Sequence, residues 1–307
     1  MNQRTLGRTG IKVSELGFGA APAAYLNPDA ADAAAMLNHL LDSGLNLIDT
    51  AVSYPGSHAF IGRHLSHRRG EFTLVSKVPA KVDGADDRDW SPAVVTAAVD
   101  QSLVDLKTDH IDVMLLHTCP IEVLQQGDAI AALAKARDAG KIRFTGFSGD
   151  NDAVTYAAGL PDVAVVETSI NIVDQVNIAG LLPVAKKNNV GVIVKRPVAN
   201  ACWKNPDDQP GMYRGYSANY TERLKKMNIK PADLGFSGEP NDAWPEIALR
   251  FVLSFPEVSS LLVGTTKRLN AENNIAAVNA GPLPADAVKK LCDAFKEAAT
   301  GDWKGLT

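Results

Sequence analysis

Short apolar runs rich in Val, Ile and Leu recur along the chain at positions 16–19, 45–49, 73–78, 111–116, 142–147, 163–168, 190–194 and 260–263. Most are nearly continuous instead of alternating with polar residues. That is the pattern of parallel strands covered on both faces. Amphipathic stretches lie between them. Positions 29–43 carry Met36, Leu37, Leu40 and Leu41 at helical spacing and stop at Gly44, a natural helix terminator. Positions 91–106 open with Ser91 and Pro92, an N-cap followed by proline in the first turn. Further helices are expected at 123–139, ending at Gly140, and at 175–189, 246–255 and 285–299.

The order is therefore eight strands, each followed by room for at least one helix. Such units close into a (β/α)8 TIM barrel or wind into an open sheet. Eight is the number that closes, and 307 residues suit a barrel of ~250 plus insertions. No linker marks a boundary, so residues 1–307 are expected to form a single domain, with a long loop insertion at 199–242 over the mouth.

Composition narrows the class. Hydrophobic residues make up 46% and charged residues 21%, which suits a globular chain with a large core. Lys plus Arg total 31 against 35 Asp plus Glu, a net charge of −4, so no nucleic acid or membrane partner is expected. The chain has no long apolar span and no signal-peptide pattern at its start. Cys119, Cys202 and Cys292 are far apart and form no CxxC, which fits a reduced, cytoplasmic protein.

Several motifs fail. Gly17-Phe18-Gly19-Ala20-Ala21-Pro22 puts proline where a dinucleotide-binding fingerprint needs its third glycine. There is no phosphate-cradling P-loop. Gly146-Phe147-Ser148-Gly149-Asp150 misses the last glycine of a nucleophile elbow. His64 and His67 lack the further ligands a metal site requires, so no metal is expected.

In a barrel, reactive groups sit at the C-terminal ends of the strands. The second strand ends at Asp49, the third delivers Lys77 and the fourth ends at His117, while Tyr54 follows Asp49 in a turn. A phenol with pKa ~10 is a poor acid near neutrality. A neighbouring ammonium lowers that value, Asp49 would hold the ammonium, and His117 could position a carbonyl oxygen. This set suits proton delivery to a carbonyl as a hydride arrives at its carbon.

These four residues in their local context resemble the aldo-keto reductase superfamily. The likeness runs from Leu6–Ser14, similar to the family's N-terminal β-hairpin, to Gly264-Thr265-Thr266 and Glu272-Asn273. It implies an NADP-dependent oxidoreductase with a small-molecule carbonyl or alcohol substrate, with Tyr54 as general acid, Lys77 and Asp49 tuning it, and His117 orienting the carbonyl. It further implies that Gly19, Asp49 and Ser148 line the nicotinamide side and that Glu167 occupies the position of an amide holder. Lys195, Arg196, Pro197, Gly264, Thr265 and Thr266 would hold the phosphates. Lys267 and Arg268 would favour NADP (NADPH) over NAD, and Glu272 and Asn273 would reach adenine. The chain departs from the family pattern with Gly149 in place of Asn, Glu167 in place of Gln, Lys195 in place of Tyr and Leu269 in place of Arg.

Trp90 and Trp203 are the candidate walls of the substrate pocket. The run Asp86, Asp87, Arg88, Asp89 reads as a solvated loop. Two other functions remain open on the same scaffold: a lyase forming a Schiff base on Lys77, and a non-enzymatic sensor that binds NADPH.

Overall fold

The structure is a computed structural model that describes residues 1–26, 29–79, 89–209, 211, 213–301 and 303–306. Asp86, Asp87, Arg88 and Met212 lie outside the described residues.

Two short strands open the chain, β1 (Gln3–Thr5) and β2 (Lys12–Ser14), paired antiparallel with Arg4 opposite Val13. Eight parallel strands follow. They are β3 (Leu16–Gly19), β4 (Leu47–Asp49), β5 (Thr73–Val78), β6 (Ile111–His117), β7 (Ile142–Ser148), β8 (Val165–Ser169), β9 (Gly191–Lys195) and β10 (Val258–Val263). They close into a barrel in chain order, with β10 paired to both β3 and β9. The eight expected strands are all present. β4 starts later than its apolar run because Asn46 serves as a tether, accepting from Ser14 N at 2.6 Å and donating to Lys12 O at 2.9 Å.

Alternate residues along each strand face two different cores. Leu47, Val75, Val113, Leu115, Val165, Ile193 and Leu262 form a cluster together with Leu6 and Val13 of the N-terminal segment. Their neighbours Ile48, Leu74, Met114, Leu116, Phe147 and Val166 join a second cluster with the surrounding helices. Burial on both sides explains why the runs lack alternation. The hairpin closes the N-terminal end of the barrel. Gly7 has φ 51°, and a Cβ there would fall 2.1 Å from the backbone N of Gly191, so only glycine allows this approach.

Helices cover the barrel, and their ends follow local chemistry. Asp29 caps Ala30–Asp42 by accepting from Ala31 N and Asp32 N. Pro92 begins Pro92–Leu106. The helix expected at 123–139 is two helices, Ile121–Gln126 and Asp128–Asp138, split where Gly127 adopts φ 84°. The helix expected at 246–255 begins earlier and spans Pro240–Leu253.

The segment expected as a loop at 199–242 is largely folded. It contains the helix Ala218–Met227, which buries Tyr220 and Met227 against the core. No helix among the described residues is long and apolar enough to cross a membrane.

Candidate active site

Asp49, Lys77, His117, Ser148 and Glu167 all fall at the C-terminal end of the barrel, since adjacent strands pair Gly19 with Asp49, His117 with Ser148, and Ser148 with Glu167. Lys77 is completely buried. Its ammonium donates to Asp49 Oδ1 and to Thr50 O, the latter at 3.1 Å, and lies 3.2 Å from Glu167 Oε2. Glu167 Oε1 accepts from Ser148 Oγ at 3.2 Å.

The turn after β4 brings Tyr54 back over this cluster. Val52 N donates to Lys77 O at 3.1 Å and Tyr54 N to Ala51 O at 3.0 Å, which fixes the turn. The Lys77 ammonium then sits 5.3 Å from the centre of the Tyr54 ring. His117 faces the same ring edge-on, with centroids 6.2 Å apart and planes at 86°. Its Nδ1 is 3.4 Å from Ser53 Oγ. Tyr25 packs edge-on against Tyr54, ring centroids 6.0 Å apart, and donates to Ser53 O at 3.1 Å. The structure thus gathers all four residues singled out from the sequence and adds Glu167 as a second counter-charge to Lys77.

Burial dominates the electrostatics. It opposes the charge on Lys77, but Asp49 and Glu167 overcome it and hold the ammonium charged well above its ordinary range. Burial also raises the Asp49 carboxyl well above the carboxylate range, aided by Glu167 and resisted by Lys77. For Tyr54 the sequence-based expectation is corrected. The nearby ammonium pulls the phenol down, but desolvation pushes it up more strongly, and Asp49 and Glu167 add to the rise. Tyr54 is therefore firmly in its acid form.

Behind this cluster lies His58, which the sequence reading missed. It sits on the helix Ser57–His64, buried, with Nε2 2.9 Å from Ser76 Oγ. Burial lowers its pKa to about 4, so it is neutral. Nothing in its sequence surroundings distinguishes it from His64 or His67.

The expected phosphate holders are placed in two groups. At the end of β9, Lys195 pairs with Asp150 Oδ2 at 3.0 Å. Arg196 turns at φ 55° and donates to Leu306 O, with its guanidinium 4.5 Å from the Tyr216 ring centre. Pro197 behind it is buried. The C-terminal segment is a further missed element, because Leu306 N donates to Asp174 Oδ2 at 3.0 Å and Arg223 to Lys304 O at 2.6 Å. A short tail without apolar periodicity gives no signal of such docking.

At the end of β10, Gly264, Thr265 and Thr266 are half-buried. A Cβ on Gly264 would lie 2.4 Å from Gly19 O, so these two strand ends abut. The helix Arg268–Asn279 begins here without a side-chain cap at Lys267 and with no acidic residue in its first turn. Arg268 donates to Glu272 at 2.9 Å on the exposed surface, where Asn273 is also exposed.

Trp90 is half-buried against the core before Pro92–Leu106. Trp203 stacks on Trp244, centroids 6.3 Å apart, and lines a groove of about 530 Å³ with Lys204, Thr221, Leu224 and Lys230. Among the described residues no three His, Cys, Asp or Glu gather as a metal site would need.

The comparisons agree with this geometry. Residues 15–296 match the model of the Aldo/keto reductase family. The chain is 29% identical to L-galactose dehydrogenase of Arabidopsis thaliana, over 90% of this chain and 87% of that protein. It is 25% identical to the NADH-specific methylglyoxal reductase of Escherichia coli, over 96% of this chain and all of that protein. Among solved structures, an aldo-keto reductase from Bacillus halodurans in its holo form superposes with a TM-score of 0.79 at 26% identity, covering 96% of each chain. A buried Asp–Lys pair under a tyrosine at the mouth of a closed barrel, on a chain matched almost end to end, makes this protein a member of the aldo/keto reductase family of oxidoreductases.

Proposed function

We propose that the protein reduces an aldehyde or ketone to an alcohol with NADPH and runs in reverse as an alcohol dehydrogenase. The observation that carries this reading is Tyr54, held in its acid form over the Lys77 ammonium with His117 across from it. Tyr54 holds the proton for the carbonyl oxygen. Lys77 stabilises the phenolate left behind, and Asp49 and Glu167 keep Lys77 charged throughout. His117 orients the oxygen.

A nicotinamide cofactor, when bound, supplies the hydride. The residues present fit such a group. Glu167 Oε2 is buried beside the Lys77 ammonium at 3.2 Å while Ser148 satisfies the other oxygen, which leaves Oε2 a lone pair that can accept from a carboxamide N–H. The uncapped helix start at Lys267, flanked by Arg268, offers backbone donors and two cations to phosphate. In this reading Gly19, Asp49, Ser148 and Glu167 face the nicotinamide side. Lys195, Arg196, Pro197, Gly264, Thr265 and Thr266 border the phosphates, Lys267 and Arg268 take the 2′-phosphate, and Glu272 and Asn273 meet adenine. Trp90 and Trp203 wall the substrate side. Three separated free thiols fit a reducing cytoplasm.

The Schiff-base reading loses support, because a nucleophilic lysine must be a free amine and Lys77 is sealed between two carboxylates that keep it charged. The test is Tyr54→Phe with a panel of carbonyl and sugar substrates. Loss of turnover by about 10³-fold with NADPH binding retained is expected. Full turnover in that variant would sink the reading, and tight NADPH binding by wild type without turnover of any substrate would favour a sensor.

A further inference from the structure

The turn between β4 and the helix Ser57–His64 carries more than Tyr54. Ser53, the residue before it, puts its hydroxyl 3.4 Å from Nδ1 of His117 at the end of β6. The Ser53 carbonyl accepts from the Tyr25 hydroxyl at 3.1 Å. On one side of it Val52 N donates to Lys77 O at 3.1 Å, and on the other Ser57 N donates to Tyr54 O at 3.1 Å. The backbone around Ser53 is therefore pinned to two other elements, and its side chain is aimed at β6. Bonds between the groups of a reactive site commonly tighten once substrate fills it, so a separation of 3.4 Å leaves this contact within reach. The ring nitrogen that meets a carbonyl oxygen has to carry a proton. A neutral imidazole has one proton for two nitrogens, and the partner of one nitrogen decides where that proton sits. A hydroxyl at Nδ1 can donate to it, whereas an alkyl group in the same place can do nothing.

We propose that Ser53 is a positioning residue whose hydroxyl donates to His117 Nδ1, keeps the single proton of that ring on Nε2, and so makes His117 a donor to the oxygen that Tyr54 protonates. The inference rests on the carbonyl reading above and deepens it. One turn then serves both donors to that oxygen, Tyr54 directly and His117 through Ser53. The edge-on packing of His117 against the Tyr54 ring keeps the two side by side. In the opposite tautomer Nε2 would present a lone pair to the carbonyl oxygen, and the two would repel. Ser53 itself gains and loses no proton in either direction of the reaction. It fixes the ring while hydride and proton move elsewhere.

The test is the shape-matched pair Ser53→Thr and Ser53→Val, which differ only by a hydroxyl against a methyl. Turnover of a carbonyl substrate with NADPH should stay near wild type in Ser53→Thr and fall about tenfold in Ser53→Val, with NADPH affinity equal in both. In a His117→Ala background the same two changes should give equal rates, because the residue that Ser53 acts through is gone. Nitrogen NMR of histidine-labelled protein at about pH 8, above the ordinary histidine range, reads the tautomer without any turnover. It should find the His117 proton on Nε2 in wild type and Ser53→Thr, and shared between the two nitrogens in Ser53→Val. Equal turnover of the Thr and Val variants, or a difference that persists without His117, overturns the proposal and leaves the proposed function standing. A His117 proton on Nδ1 in wild type overturns it as well. Wild type that turns over no carbonyl overturns both readings.

Discussion

The ammonium of Lys195 lies 3.0 Å from Oδ2 of Asp150, whose side chain is shut off from solvent. The other oxygen of Asp150 accepts from Ser169 N at 2.7 Å, Thr168 Oγ1 at 3.0 Å and Asn177 Nδ2 at 3.2 Å. Burial works against the carboxylate, but Lys195 and the Ser169 N–H outweigh it and hold the group ionised below its ordinary range. Removing the lysine strands that charge. Lys195→Met is expected to cost about 3 kcal/mol in urea unfolding, and adding Asp150→Asn to recover part of it. An unchanged midpoint in Lys195→Met would show that Asp150 does not depend on this partner.

His58 sets a pH dependence. It is neutral in the fold down to about pH 4, while in the unfolded chain it takes a proton below its ordinary 6.5. Between those values the unfolded state binds more protons, so stability falls as pH falls, by up to roughly 3 kcal/mol. Asp174, pushed up to about 6 by burial, tilts the curve the other way, so the difference between proteins is the readout. His58→Gln keeps a group able to reach Ser76 and cannot charge. Its Tm should drop less than that of wild type between pH 7 and pH 5, and equal drops would exclude His58 as the cause.

Lys77 is the cation between two buried carboxyl groups, and the proposed function also gives it a part in proton transfer. Lys77→Met leaves Asp49 and Glu167 facing each other without a cation. Turnover should fall by more than about 100-fold and stability by about 3 kcal/mol. In Lys77→Met with Asp49→Asn, stability should return only in part, because Glu167 still lacks its cation, while activity should not return. Recovery of both in the double variant would mean that the ammonium has no role in proton transfer.

Arg268 separates cofactor affinity from stability. Its ion pair with Glu272 is exposed, and such pairs contribute little. Arg268→Ala should keep the wild-type Tm, weaken NADPH by about tenfold and leave NADH nearly unchanged. Equal losses for both cofactors would move the 2′-phosphate contact to another residue.

The strands and the four polar residues that gather at the barrel mouth were legible because each rests on local information. A barrel strand buried on both faces must be apolar nearly throughout, and a polar residue ending such a run, as Asp49 and His117 do, stands out. The break at Gly127 was hidden, because Val123 and Leu124 before it and the alanine-rich stretch after it carry apolar spacing through one helix or two. The helix Ala218–Met227 was hidden for another reason. Its burial depends on Tyr220 reaching Asp174, 46 residues away in sequence, through a 3.0 Å bond.

What the sequence by itself determined is therefore the alternation of strand and helix, the number of units and the polar residues that end the strands, all set by periodicities of a few residues. Only the tertiary structure decided the state of the site. Glu167 meets Lys77 across strands far apart in the chain, and burial of the whole cluster lifts Tyr54 where a neighbouring ammonium alone would lower it. Desolvation belongs to no residue and no spacing. It arises when the barrel closes and water is excluded from its mouth.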